Sequence, residues 1–199
     1  MDNPSRSERT RKAALQAALA IITRDGPTKL TLDAIAREAG MSKGGLMHQF
    51  PSKHAVLKAL LEDEVGHFEA LHRQNLAAQS TKTTQPELLA HIATLRAAAM
   101  QPHSMAIALL GATADDPSLL SISRDRDAER EKTIKAEADD PELAMLRRAA
   151  ALGLALGSIF GLSAMSAKER KRLFDLLLDD NYWSALAKPK KRSAKIPRK

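Results

Sequence analysis

Eight residues, Thr31, Ser42, Lys43, Gly44, Gly45, His48, Gln49 and Lys53, lie within one 23-residue stretch and share a chemistry. Hydroxyls and ammonium groups donate to phosphate oxygens, while imidazole and carboxamide groups can hydrogen-bond the edges of bases. Paired glycines let backbone approach such a partner closely. Lys43 and Lys53 stand where helices are expected to begin, and there the helix dipole disfavours a cation. A nearby anion reverses that cost, and a nucleic-acid duplex supplies phosphates in quantity. Gly44 and Gly45 would each cost roughly 1 kcal/mol in a helix interior relative to alanine, and less in a first turn. The same stretch also fits a surface helical hairpin whose polar residues bind nothing.

Other chemistries find little support. The chain has no cysteine, which removes disulfides, thiolate metal sites and cysteine nucleophiles. It has no glycine-rich nucleotide loop and no serine nucleophile elbow. No two of His67, His72, His91 and His103 stand four residues apart as a pair of ligands would, His67 and His72 being five apart, so neither a metal nor a cofactor is expected. An enzyme is therefore not expected. The net charge of +7 is unevenly placed. Residues 188–199 hold seven basic and no acidic side chains, residues 1–53 hold nine and five, and residues 54–187 hold 15 and 19. A basic N-terminal module on a mildly acidic body is what a protein needs if one end meets a polyanion. The N-terminal residues show no signal-peptide core, and the expected location is the cytoplasm.

The elements that must position these residues read as helices throughout. Ala14, Ala17, Ala18, Ile21 and Ile22 recur at helical spacing in a first helix from Ser7 to Arg24, stopped by Asp25-Gly26-Pro27. Thr31 can cap a second helix with apolar positions at Leu32, Ile35, Ala36 and Ala39, and Asp33 suits its first turn. Gly40 breaks it. Ser42 can cap a short third helix carrying Leu46 and Phe50, which Pro51 ends. Ser52 can cap a long fourth helix with Val56, Leu57, Leu60, Leu61, Val65, Phe68 and Leu71 on one side. Further helices are expected at about 86–100, 103–114, 117–137, 141–164 and 166–187, with Ser166 and Glu169 at capping-box spacing. With aromatics at only 3% and no strand pattern, the expected fold is all-α.

Residues Thr31-Leu32-Asp33-Ala34-Ile35-Ala36-Arg37-Glu38-Ala39-Gly40-Met41-Ser42-Lys43-Gly44-Gly45-Leu46, followed by His48, Phe50, Pro51, Ser52 and Lys53, closely resemble the TetR/AcrR family of transcriptional regulators. The resemblance covers about residues 8–60. It implies a three-helix DNA-binding module with a helix-turn-helix over residues 1–53, joined by the long fourth helix to a ligand-binding and dimerisation domain over 54–187. It implies that the third helix reads the major groove with Lys43, Gly44, Gly45, His48 and Gln49, while Thr31, Ser42 and Lys53 position phosphates. Met47 stands where the family often has a tyrosine that touches the backbone. A thioether cannot donate that hydrogen bond.

By the same resemblance the last two long helices build a homodimer. The residues add their own support, because Gly153, Gly157 and Gly161 recur every four positions and would let two helices approach closely. Leu173 and Leu177 supply apolar partners on the final helix, and two-fold symmetry would bury the combined face. An ordinary core helix is the rival reading. Residues 149–167 also carry no charge and are flanked by basic residues, as a membrane span would be, but alanine, glycine and serine insert weakly, so no membrane is expected. His91, Leu95, Met100, Met105, Leu109 and Met145 could line an aliphatic pocket for an apolar small-molecule effector, or be plain core. The basic tail 188–199 is expected to be disordered, either adding nonspecific DNA affinity or serving no role. The expected protein is a repressor on a pseudo-palindromic double-stranded operator, released by its effector. The alternative is a ligand-independent architectural DNA-binding protein.

Overall fold

A computed structural model of the chain describes residues 3–79, 83–100 and 117–187. Among these residues there are helices and no strands: α1 (Asn3–Asp25), a 3-10 turn at Pro27–Lys29, α2 (Leu32–Glu38), α3 (Lys43–Gln49), α4 (Lys53–Gln79), α5 (Pro86–Ala99), a 3-10 turn at Pro117–Leu120, α6 (Ser121–Glu137), α7 (Pro141–Ile159), α8 (Ala167–Leu178) and α9 (Asp180–Leu186). They form two compact units, 3–69 with 117–126, and 70–79 with 83–100 and 127–187, so α4 and α6 contribute to both. The helix expected at 103–114 and the tail at 188–199 lie outside the described residues.

In the first unit α1 packs on α2 and α3, and α2 packs on α3. Small side chains make the close approach possible: Ala14, Ala17 and Ala18 of α1 are buried with Ile35 and Ala36 of α2, Leu46 of α3, Phe50, and Val56, Leu57 and Leu60 of α4. Arg11 of α1 places its guanidinium 5.1 Å from the Phe50 ring centroid, a cation–π contact that covers the end of α3. Arg24 grips Glu38 with both terminal nitrogens at 3.1 Å, joining the ends of α1 and α2 by a two-pronged ion pair. The hydrogen bond from Arg24 holds the Glu38 carboxyl below the usual carboxylate range.

The helix ends follow the capping residues. Thr31 Oγ1 accepts from the Ala34 amide, Ser42 Oγ from Gly45 and Ser52 Oγ from Ala55, each at 3.1 Å. Gly40, at φ 65°, ends α2 in the left-handed conformation. There its amide donates to the Arg37 carbonyl, and Met41 donates to Ala36. The turn between α2 and α3 is thereby fixed by the backbone.

In the second unit α5 lies most extensively on α7 and also packs on α8, and α8 packs on α7 and α9. Leu88, Ile92 and Leu95 of α5 are buried with Ile134 of α6, Ala151 and Ala155 of α7, and Phe174 and Leu177 of α8. Two features differ from expectation. The helix expected to run to 164 stops at Ile159, because Gly161 (φ 62°) makes the same terminating turn as Gly40: Gly161 donates to Ser158 and Leu162 donates to Gly157. The helix expected over 166–187 is two helices. Asp179 leaves the helical conformation at ψ 93° and caps α9 by accepting from Tyr182.

Candidate nucleic-acid interface

α3 is held by its cap, by Leu46 in the core and by Phe50 beyond its end, which fixes the side it can present to solvent. Lys43, Gly44, Gly45, Met47 and His48 are exposed, and Gln49 is half-buried. Gly44 would carry a Cβ into open space, whereas a Cβ on Gly45 would come within 3.1 Å of Ser42 Oγ. The two glycines are therefore unlike: Gly45 makes room for the cap, and Gly44 leaves the surface bare.

The polar side chains at this surface are not idle. Lys43 Nζ lies 2.9 Å from Asp33 Oδ1, across the turn from α2. Gln49 Nε2 donates to Ser7 Oγ on α1 at 3.0 Å. Lys53 Nζ donates to the Pro27 carbonyl at 3.2 Å, tying the start of α4 to the turn after α1. Thr31, Ser42 and Ser52 each use one oxygen lone pair in a cap, and each hydroxyl keeps its O–H for an outside acceptor such as a phosphate oxygen. Sequence reading assigned Asp33 only to the dipole of α2 and missed its pairing with Lys43, as it missed Ser7. Contacts across 10 and 42 positions leave no local signal.

The residues expected to line an effector pocket are placed differently from one another. His91 and Leu95 are buried in the second unit, Met145 is half-buried, and Met100 is 45% exposed. Met105 and Leu109 lie outside the described residues. Around His91 the interior is more charged than its methionines and leucines suggested. His72 Nε2 lies 2.9 Å from Glu87 Oε1, Arg130 Nε lies 3.3 Å from the same oxygen, and Arg148 pairs with Asp127. Burial first, then the charges of Arg130, Arg148 and His72, push the His91 imidazole down to about 3, so the ring is neutral. Arg147, itself buried, donates to the Leu177 carbonyl at 2.6 Å and to Asp180 at 3.1 Å, with the Trp183 ring centroid 5.5 Å from its guanidinium.

Of the residues expected at a dimer interface, Gly153 is exposed with open space at its Cβ, and Leu173 is partly exposed. Leu146, Leu152 and Leu156 of α7 and Leu176 of α8 are also exposed. Along α8 runs an open groove of about 620 Å³ with Leu173 and Leu176 in its wall. Leu177, by contrast, is buried within its own protomer, and Gly161 lies beyond the end of α7. Gly157 is half-buried, with Ser163 close to where a Cβ would sit. No described helix is long and apolar enough to cross a membrane.

Comparison with known proteins places both units. Residues 14–60 match the model for bacterial regulatory proteins of the tetR family, and residues 85–180 match that for the tetracyclin repressor-like C-terminal domain. Over 55 residues the chain is 40% identical to the HTH-type transcriptional regulator SrpR of Pseudomonas putida, a match spanning 28% of this chain and 26% of that protein, about a quarter of its length. Among solved structures, the SmeT–triclosan complex aligns over 96% of this chain and 100% of its own at a TM-score of 0.64 and 23% identity. The multidrug binding protein EbrR complexed with malachite green aligns over 84% and 95% at 0.66 and 16%. A transcriptional regulator from Saccharomonospora viridis in complex with choline aligns over 87% and 97% at 0.61 and 21%. At these identities the structures are alike in fold.

Proposed function

The chain belongs to the TetR family of transcriptional regulators, and from that premise we propose that it is a dimeric repressor that binds a pseudo-palindromic operator and is released by a small molecule. The observation that carries the DNA-binding part is the exposed row of Lys43, Gly44, Met47 and His48 on a helix whose flanking caps, Thr31, Ser42 and Ser52, keep hydroxyl protons available. In this reading α3 enters the major groove, Lys43 and His48 meet base edges, and Gly44 and Gly45 let the backbone come close. Gln49 joins them if DNA replaces its contact with Ser7. Thr31, Ser42 and Lys53 donate to phosphates, and Met47 gives an apolar contact such as a thymine methyl accepts.

The exposed leucines of α7 and α8, with Gly153 among them, are proposed as the two-fold interface, which would set two copies of α3 in successive major grooves. The effector is proposed to enter the helices around His91, Leu95 and Met145, a reading favoured by the triclosan, malachite green and choline complexes of proteins with the same fold. Because α4 carries residues of both units, ligand-induced strain in one has a covalent route to the other, with a coupling of typically 1–3 kcal/mol. The test is selection of duplexes from a randomised library by the purified chain. The reading expects an enriched inverted repeat that Lys43→Ala binds at least tenfold more weakly. An enriched sequence bound equally by Lys43→Ala and His48→Ala would overturn the placement of α3.

A further inference from the structure

We propose that Met47 and Gly44 form a methyl-reading site, which takes the C5 methyl group of a pyrimidine presented in the major groove; this rests on the reading of α3 as the groove-reading helix. Met47 is 46% exposed, and of the large apolar side chains described in the first unit no other is exposed. Its thioether has no donor and is a weak acceptor, so what it offers a partner is polarizable apolar surface. A single exposed apolar residue is ordinary on a protein surface. What distinguishes this one is its place. Leu46, the residue before it, is buried in the core, so α3 turns its apolar side inward and Met47 stands outside it. Gly44, three positions earlier, is its neighbour on the helix surface. A Cβ on Gly44 would meet nothing within 4 Å, which is room for a methyl group. Lys43, beside that gap, is drawn to Asp33 of α2 at 2.9 Å.

In the major groove the C5 methyl belongs to thymine, and cytosine carries only hydrogen there. Methylation of cytosine at C5 puts the same group in the same place and leaves its hydrogen-bonding edge unchanged. Lys43 and His48 sense donors and acceptors and are blind to this group, whereas Met47 senses it and is blind to them. The site therefore separates thymine from uracil, and 5-methylcytosine from cytosine, pairs that polar side chains read alike. Burying one methyl group is worth about fourfold in an equilibrium constant. A duplex lacking the methyl leaves the gap beside Met47 unfilled, so the gain falls on methyl-bearing sequence alone.

The full-length chain is used to select a duplex from a randomised library, and each thymine is then replaced in turn by uracil. One position is expected where the replacement costs about fourfold in affinity per half-site. At that position a cytosine–guanine pair is installed with and without the C5 methyl, and the methylated form should bind about fourfold more tightly per half-site than the unmethylated one. Met47→Gln, which keeps the length and loses the apolar end, should cut both methyl increments below twofold. Met47→Leu should retain them. No thymine with such an increment, increments unaltered by Met47→Gln, or a thymine increment without one for 5-methylcytosine would each overturn the proposal while leaving the DNA-binding reading standing. Failure of the wild-type chain to enrich any sequence would remove that reading, and the proposal with it.

Discussion

Ser42 and Gly45 act as one device. The Ser42 oxygen accepts from the Gly45 amide at 3.1 Å, and a Cβ at Gly45 would stand 3.1 Å from that same oxygen. Gly45→Ala should therefore loosen the cap and destabilise the first unit by about 1 kcal/mol, the usual value of a lost cap. Gly44→Ala meets open space and should stabilise by about 0.5–1 kcal/mol, as alanine does in a helix. Denaturant titration of the two variants distinguishes them by sign. A second residue-scale prediction concerns His91. Its ring is driven down to about 3 by burial and by the guanidinium groups of Arg130 and Arg148, so between pH 6.5 and that value the unfolded chain binds a proton the folded chain refuses. The stability this group contributes should be present above pH 6.5 and fall progressively as the solution is acidified below it, and His91→Leu should flatten the slope between pH 6.5 and 5. An unchanged slope would contradict the assignment. The caps were legible in the sequence because a hydroxyl and the amide it serves are three positions apart. The buried arginines were not: Arg147 reaches Asp180 over 33 positions and Arg148 reaches Asp127 over 21, and the basic pair at 147–148 reads only as the flank of an uncharged run.

Helix boundaries show which local signals win. Asp140 accepts from Leu143 and precedes Pro141, and Ser166 forms with Glu169 the reciprocal capping box that their spacing announces. Ser166→Ala should cost about 1 kcal/mol and fray the start of α8, measurable as faster amide exchange over the first turn. The expectation for Gly161 was the interior of a helix. Its four-residue spacing from Gly157 placed it on a helical stripe, whereas glycine just past an apolar helix is also the preferred terminator. The structure takes the second, with φ 62°. Gly161→Ala forces a side chain into the left-handed region and should destabilise by about 1–2 kcal/mol. The break between α8 and α9 was missed because Asp179-Asp180-Asn181 contains neither glycine nor proline, and only the capping preference of aspartate marks it. In the N-terminal module each boundary from the end of α1 to the start of α4 had such a marker, which is why α2 and α3 were placed almost to the residue; the start of α1, expected at Ser7 and found at Asn3, had none.

At the scale of the whole molecule, the exposed leucines of α7 and α8 are the feature a lone protomer leaves unexplained. Leu146, Leu152 and Leu156, with Leu173 and Leu176, present apolar side chains to water, and in the proposed dimer they face their own copies. Leu156→Glu combined with Leu173→Glu places like charges across the two-fold axis and should convert the dimer to monomer in sedimentation velocity, with helicity retained. The same change should reduce DNA affinity, since a single α3 reaches only one half-site. The most direct test of the central claim is the affinity of the wild-type dimer for its selected duplex, measured by anisotropy across a salt series beside Lys43→Ala. The account predicts a steep fall in affinity with salt, as several phosphate contacts require, and at least a tenfold loss with Lys43→Ala. Binding that is flat with salt, or indifferent to Lys43 and His48 alike, would contradict it.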